Sequence, residues 1–454
     1  MLINASKVHF KSCAAWLLCV VSSASFASGE TTLVSVDSSG VIGNGYSVSP
    51  VLSATGRWVA FTSYANNLVA GDTNGIQDVF VHDRLSHKTT RVSVDSAGAQ
   101  SHRRGFHSMF PSISANGRWV AFNSADKKLV ADDTNVSDDI FIHDRLTHKT
   151  TRVSVNSTGQ QGNGDSFGQG LSANGRWVVF NSAANNLVAG DANGYFDTFV
   201  HDRLTGDTSI VSVDSNGVPG GAAAYSIASI SADGRWVAFE SRYSNLVAED
   251  TNGESDVFVH DRLNHETTRV SVDSDGMQGN SGSSEPQLSA DGRWVTFTSY
   301  ANNLVAGDTN EVRDIFVHDR LSHKTTRVSI GVGVGVGVDG EQGNGESFSS
   351  RISADGRRVA FTSWVANLVP GDTNGTYDVF IHDRLTHKTR LASRSTKGAI
   401  GNGSSFAPSL NADGRVLAFY SWSTNWVSGE YTVNSTNIFV HDSSLISSGR
   451  TVKP

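Results

Sequence analysis

The chain has 454 residues, 38% of them hydrophobic, with 45 glycines, 7 prolines and a formal net charge of −8. That length allows a sizeable buried core, and the mild acidity argues against nucleic acid, which requires a basic face. Both cysteines, Cys13 and Cys19, lie near the start, so the rest of the chain holds no disulfide framework, thiol nucleophile or thiolate metal site.

The first residues read as an export signal. Lys7 and Lys11 precede a short apolar run, Cys13 to Val21, and Ser25-Phe26-Ala27 offers small residues where a signal peptidase cuts. The run is about half of the roughly 20 residues a membrane span needs. Leu18 is too bulky to precede a lipidated Cys19. Removal of residues 1–27 leaves one domain over 28–454 with 34 basic and 44 acidic residues, a charge of −10. No later stretch is apolar enough to span a membrane, so the product is expected in the periplasm or outside the cell.

Beyond this point one phrase recurs, Ser-Ala-Asp-Gly-Arg-Trp-Val-Ala-Phe. Its arginine falls at Arg57, Arg118, Arg176, Arg235, Arg293, Arg357 and Arg415, in steps of 61, 58, 59, 58, 64 and 58 residues. A fixed period marks units that bury their apolar faces only against one another. Residues present in every copy are then structural, and a site is expected where copies differ or converge.

One copy predicts four strands. Ser108 to Ser114 alternates apolar and polar residues, and Ala115-Asn116-Gly117 is a tight turn whose glycine supplies a positive φ. Arg118 to Ser124 forms a second strand, followed by a long loop to Asp138. Asp139 to Asp144 is a third strand, Leu146 to Lys149 a turn, and Thr150 to Val155 a β-branched fourth strand. Seven such units predict an all-β, seven-bladed β-propeller with four antiparallel strands per blade. Thr31 to Val36 matches a fourth strand with no partners before it. The last copy has its first three strands, through Asn437 to Asp442, and no recognisable fourth. The N-terminal strand is therefore expected to complete the last blade and close the ring.

The repeat resembles the TolB-type, WD-like (PD40-type) propeller repeat. The matching residues are Ser231-Ala232-Asp233-Gly234-Arg235-Trp236-Val237-Ala238-Phe239 and Asp256-Val257-Phe258-Val259. It departs in having Ala for Pro and a longer loop between strands two and three. The likeness implies the fold closely and function only loosely. Related propellers include polysaccharide lyases and the substrate-screening domains of peptidases.

Alternating strand direction places turns one-two and three-four on one face, basic with Arg57, Arg84, His87 and Lys88. Both long loops are expected on the other, acidic face, where a ligand would bind. Those loops carry an Asp-x-Asn-Gly-x-x-Asp pattern. It occurs as Asp72, Asn74 and Asp78, as Asp191, Asn193 and Asp197, as Asp250, Asn252 and Asp256, and as Asp372, Asn374 and Asp378. Val136 replaces the glycine in the set Asp133, Asn135 and Asp139, and Glu311 replaces it in the set Asp308, Asn310 and Asp314. Alternating oxygen ligands, a glycine and a later carboxylate suit Ca²⁺, though Ala70, Ala189 and Ala248 stand where the first carboxylate belongs. The same residues also suit an Asx-turn with no metal.

Seven His-Asp pairs, His82-Asp83 to His441-Asp442, invite a catalytic reading. A sevenfold array with no nucleophile instead predicts blade-stabilising hydrogen bonds. His87, His148, His265, His323 and His387 are expected to be solvated, and Trp58, Trp119, Trp177, Trp236 and Trp294 to pack within or between blades. Symmetry breaks are few: Ser101 to Phe106 with His102, His107, and a Gly-Val run at Gly331 to Val338. On the innermost strands Ser112, Gln287 and Arg351 stand at a variable position and are the expected channel contacts. These features predict a non-catalytic exported scaffold, expected to be monomeric. It would bind a protein or cell-surface glycan through its acidic loop face, with Ca²⁺ as the one cofactor considered. The alternative is a polysaccharide-active lyase or hydrolase at the channel mouth. Catalysis needs groups with separated pKa values, and the repeat offers mostly identical ones.

Overall fold

The computed structural model describes residues 29–101, 108–220, 228–331, 340–427 and 435–444. The expected signal peptide, His102, Arg103 to Phe106, His107 and most of the Gly-Val run lie outside the described residues. Seven four-stranded antiparallel sheets are present, with no helix among the described residues. In blade 1 the inner strand is Ser47–Leu52, the second Trp58–Ser63, the third Asp78–Asp83 and the outer Lys88–Arg91. Blades 2 to 6 repeat this order, and the inner strands pack against one another in cyclic sequence.

Glu30–Leu33 is the outer strand of blade 7, pairing Thr31 with His441 and Leu33 with Phe439. The ring closes as the N-terminal segment predicts, and the last sheet keeps no unpaired third strand. The fourth strands are shorter than expected. In blade 2 the strand is Lys149–Arg152, after which Ser154 Oγ bonds Asp139 and the chain turns into a hairpin bridged at Val155–Gln161.

The core is a set of seams rather than one cluster. Each apolar cluster joins neighbouring sheets, such as Phe61 and Phe80 of blade 1 with Ala418 and Val440 of blade 7. Alternation along the second and third strands sends successive side chains into the two flanking seams, which is why both strands are apolar throughout. A stacked phenylalanine pair sits inside each blade, Phe61–Phe80 at 5.9 Å in the first.

The repeated phrase builds the turn-face half of five seams. Arg57 clamps Asp83 through Nε and Nη2, both at 2.7 Å. Its guanidinium lies 4.5 Å from the Trp58 ring centre, and Arg145 of blade 2 covers the other side at 3.9 Å. Gly117 of blade 2 meets the same ring edge. Its φ is +73°, and a Cβ there would come within 2.2 Å of Trp58 Cδ1. The recurrent tryptophans are inter-blade packing, as expected.

Candidate functional site

The histidines belong to this scaffold. His82 Nδ1 lies 2.9 Å from Thr89 Oγ1, and Thr89 Oγ1 donates to Val36 O of the preceding hairpin. The hydroxyl's one proton is thus used, so His82 Nδ1–H is the donor. Burial drives the pKa of His82, and of its counterparts His143, His201, His260, His318 and His441, down to about 4. They are neutral struts. The same bond pattern draws six of the hairpins outward, as where Ser96 Oγ accepts the Thr150 N–H of the next blade at 3.1 Å. The Asp95–Gly98 turn therefore lies along the neighbouring blade's outer strand.

The Asp-Asn loops form Asx-turns. Asn74 Oδ1 accepts from Ile76 N at 3.2 Å, and Asn74 Nδ2 donates to Asp78 at 2.9 Å. The other asparagines weighed as Ca²⁺ ligands are placed the same way. Asn193 Oδ1 accepts from Tyr195 N at 2.9 Å, and its Nδ2 donates to Asp197 at 2.8 Å. Asn252 accepts from Glu254 N and donates to Asp256, both at 2.9 Å. Asn310 accepts from Val312 N at 3.3 Å and donates to Asp314 at 3.2 Å. Asn374 accepts from Thr376 N at 3.1 Å and donates to Asp378 at 2.7 Å. Asn135 accepts from Ser137 N at 3.1 Å, while its Nδ2 donates to Gly162 O at 3.0 Å. Each Oδ1 thus accepts a backbone N–H two residues on, the bond that defines an Asx-turn. In five of the six loops the amide NH₂, a donor, faces the later carboxylate. These asparagines hold their loops in the Asx-turn that the sequence also suited.

Between the carboxylates expected to hold Ca²⁺ sits an arginine of the outer strand. Arg91 Nη1 is 3.2 Å from Asp72 and 3.5 Å from Asp78. Arg152 serves Asp133 and Asp139, Arg269 serves Asp250 and Asp256, and Arg327 serves Asp308 and Asp314. Two loops differ. Ile210 replaces that arginine beside Asp191 and Asp197, and Leu391 replaces it beside Asp372 and Asp378. Asp197 keeps the serine bond common to these loops, accepting Ser212 Oγ at 2.7 Å, besides the Asn193 amide. There burial, and then the neighbouring carboxylate, raises Asp191 to about 6, and burial above all raises Asp378 to about 6. Among the described residues no group of three or more His, Cys, Asp and Glu side chains is arranged to hold a metal.

The three expected channel residues stand on separate inner strands. Ser112 is in blade 2, Gln287 in blade 5 and Arg351 in blade 6. Their position faces the neighbouring inner strand: its counterparts Ser409 and Ser229 accept the N–H of Leu52 and Leu288, each at 3.0 Å. Burial lowers the Arg351 pKa, partly offset by Glu285, and Arg351 Nη1 donates to Ser350 O at 2.8 Å. Two residues earlier the inner strands bulge, with left-handed backbone at Ser49, Phe110, Glu285, Ser349 and Ala407. Such non-glycine strain is uncommon and re-aims side chains at a channel wall.

The rim of the channel on the loop face carries a cluster that the sequence reading passed over. The residue just after the second strand is Tyr64, Ala125, Ala183, Arg242, Tyr300, Trp364 and Trp422 in blades 1 to 7. Trp364, Trp422 and Tyr300 are 56%, 46% and 51% exposed. Tyr377 lies 5.8 Å from Trp364, 5.6 Å from Phe348 and 5.2 Å from Phe406, Phe406 lies 6.0 Å from Trp422, and Tyr300 joins through Arg313, 5.7 Å from its ring centre. Tyr46 and Tyr64, 4.4 Å apart, extend the arc into blade 1. At its centre Glu346 accepts Arg313 Nη2 at 2.5 Å and Tyr377 Oη at 3.2 Å. Arg313 also lies over the Phe348 ring at 4.8 Å. Burial pulls the Arg313 pKa down, but the Glu346 bonds outweigh it and leave it raised. Burial, then Glu346, raises Tyr377. The differences between copies at one aligned position were the available signal.

Neither a protein-family model nor a curated protein matches this sequence. Solved propellers share its architecture. The β-propeller domain of the Trilobed protease from Pyrococcus furiosus, which has an open velcro topology, is 11% identical over 90% of this chain and 98% of that one, with a TM-score of 0.53. The acylaminoacyl peptidase of Pyrococcus horikoshii is 11% identical over 88% of this chain, TM-score 0.50, and this chain spans about half (51%) of its length. TolB from Acinetobacter baumannii superposes more loosely, at 14% identity over 86% and 81% of the two chains with a TM-score of 0.40. The first two likenesses support the propeller architecture and speak to architecture alone.

Proposed function

We propose that this chain is a non-catalytic binding propeller, exported from the cytoplasm, that takes a glycan at the loop-face mouth of its channel. The observation that carries this reading is the arc of half-exposed Tyr300, Trp364 and Trp422 around the Arg313–Glu346 pair. Large aromatic faces left in water mark binding surfaces, and Trp and Tyr pair apolar area with a polar tip. Sugar rings offer apolar faces for stacking and hydroxyls for Glu346 and Arg313. Both Glu346 oxygens are already engaged, which suits a positioning carboxylate better than a free general base. Export rests on the N-terminal sequence pattern.

The test is titration calorimetry with cellohexaose, xylohexaose, chitohexaose and trigalacturonate, alongside an assay for cleavage of the matching polymers. Binding by at least one sugar, lost in Trp364→Ala and Trp422→Ala without cleavage, supports the reading. Polymer cleavage would replace it with the enzymatic alternative, and binding untouched by both substitutions would remove it.

A further inference from the structure

The seam between blades 6 and 7 departs from its counterparts. Blade 6 opens its second strand, Arg358–Ser363, with Arg358 where five blades hold the sandwiched tryptophan. The arginine that stacks from the next blade, Arg145 on Trp58 for example, is Ser443 here. On the outer strand Lys388–Leu391, Arg390 stands where Thr90, Thr151, Ser209, Thr268 and Thr326 stand elsewhere. At the hairpin bridge, Arg394–Ile400, Arg394 occupies a position that is Val or Ile in the other six copies.

These exchanges leave a cleft of about 1010 Å³, against 310, 510 and 750 Å³ at the 1/2, 7/1 and 4/5 seams. Arg358, Lys388, Arg390, Arg394 and Arg415 line it, against two carboxylates, Asp372 and Asp383. Asp383 is shared by Arg357 at 2.8 Å and Arg358 at 3.6 Å, and Arg358 Nη1 also donates to Asp413 O. Arg390 Nη2 donates to Ser443 Oγ at 3.2 Å, and Arg394 Nε is buried with no hydrogen-bond partner among the described residues. Arg415 does not grip its third-strand aspartate as Arg57 grips Asp83: Asp442 is held by Arg84 and Ser444, and Arg415 Nε lies 3.8 Å from the exposed Asp413. Burial, followed by repulsion from Arg358 and Arg394, lowers the Arg390 pKa to about 10. Buried like charges with unspent donors are costly, and an anion relieves both terms.

We propose that this cleft binds a ligand carrying two or more oxyanion groups, phosphates or carboxylates, held by Arg390 and Arg394 from blade 6 with Arg358 and Arg415 at its entrance. The site lies on the outer seam, away from the aromatic rim, and stands or falls independently of the glycan reading.

The test is titration calorimetry at low ionic strength with inorganic tripolyphosphate, citrate and orthophosphate. Tripolyphosphate or citrate should bind at least about tenfold more tightly than orthophosphate, and whichever binds better names the source class. Arg390→Thr with Arg394→Val restores residues that the other blades carry, so the ring should fold with an unchanged circular dichroism spectrum. That double variant should weaken binding at least about tenfold, while Lys127→Thr with Lys128→Thr, two exposed lysines in blade 2, should not. No binding of either polyanion, or equal weakening by both double variants, overturns the proposal.

Discussion

Replacing Gly234 by alanine tests the inter-blade seams most sharply. Gly234 has φ +80°, and an added Cβ would stand 2.1 Å from Trp177 Cδ1 and 2.5 Å from Cγ. The left-handed backbone alone costs an alanine about 1–2 kcal/mol. Forcing the indole aside adds about 1–3 kcal/mol of overpacking and disturbs the stack in which Arg176 and Arg262 flank that ring at 4.5 and 3.9 Å. The total expected is about 2–5 kcal/mol. Gly253 of the same blade supplies the control: its φ is +67° and nothing lies within 4 Å of its Cβ direction. Gly253→Ala should therefore cost only about 1–2 kcal/mol. Guanidinium unfolding followed by tryptophan fluorescence reads both. A double-mutant cycle with Trp177→Ala should recover about 1–3 kcal/mol of coupling, since the clash disappears with the ring. Equal losses for the two alanine variants, or no coupling to Trp177, would refute the reasoning.

Three further outcomes follow from the same geometry. Stability should fall on the acid side through His82, because its folded pKa of about 4 lies below the ordinary 6.5. The unfolded chain then binds the extra proton between those values, so His82 favours the fold fully above pH 6.5 and loses about 2.5 kcal/mol by pH 4.5; His82→Asn should remove that share of the acid slope in pH-dependent unfolding. Arg91→Leu should destabilise by about 3 kcal/mol near pH 8, by stranding Asp72 and Asp78 together. The loss should shrink toward pH 5, since carboxyls with raised pKa values keep their protons in the fold while the unfolded chain gives them up. EDTA and added Ca²⁺ should leave the thermal unfolding midpoint of the parent protein unchanged, because guanidinium already supplies the cation in four loops and the Asn193 and Asn374 amides already bond the later carboxylate in the other two.

The ring was legible because its evidence is repetition. Seven copies of Asp-Gly-Arg-Trp and its variants, with a solitary fourth strand at Thr31, specify blade number and closure without any knowledge of side-chain packing. The arginine inside the Asp-Asn loops was not, because it comes from the outer strand: Arg91 lies 13 residues beyond Asp78 and reaches it only through the Phe80–Arg91 register. A metal and a guanidinium both attract the same carboxylate oxygens, so the loop alone does not distinguish them. The inner-strand bulges were hidden for a different reason. Ser49, Phe110 and Ala407 adopt a glycine-like backbone without being glycine. The aromatic rim and the basic seam were both written in the sequence as departures from the repeat, Trp364 for Ala125 and Arg394 for Val94. Their meaning depends on which departures the ring brings side by side.

The site itself is tested most directly by titrating oligosaccharides into the parent protein and into a Trp364→Ala/Trp422→Ala variant, with circular dichroism confirming that both fold. Both side chains are about half exposed, so their removal should cost little stability. A sugar that binds the parent and loses at least about tenfold in affinity for the variant is the predicted result, in line with aromatic anchors dominating such sites. Unchanged affinity in the variant would place the binding surface elsewhere on the ring and contradict the account.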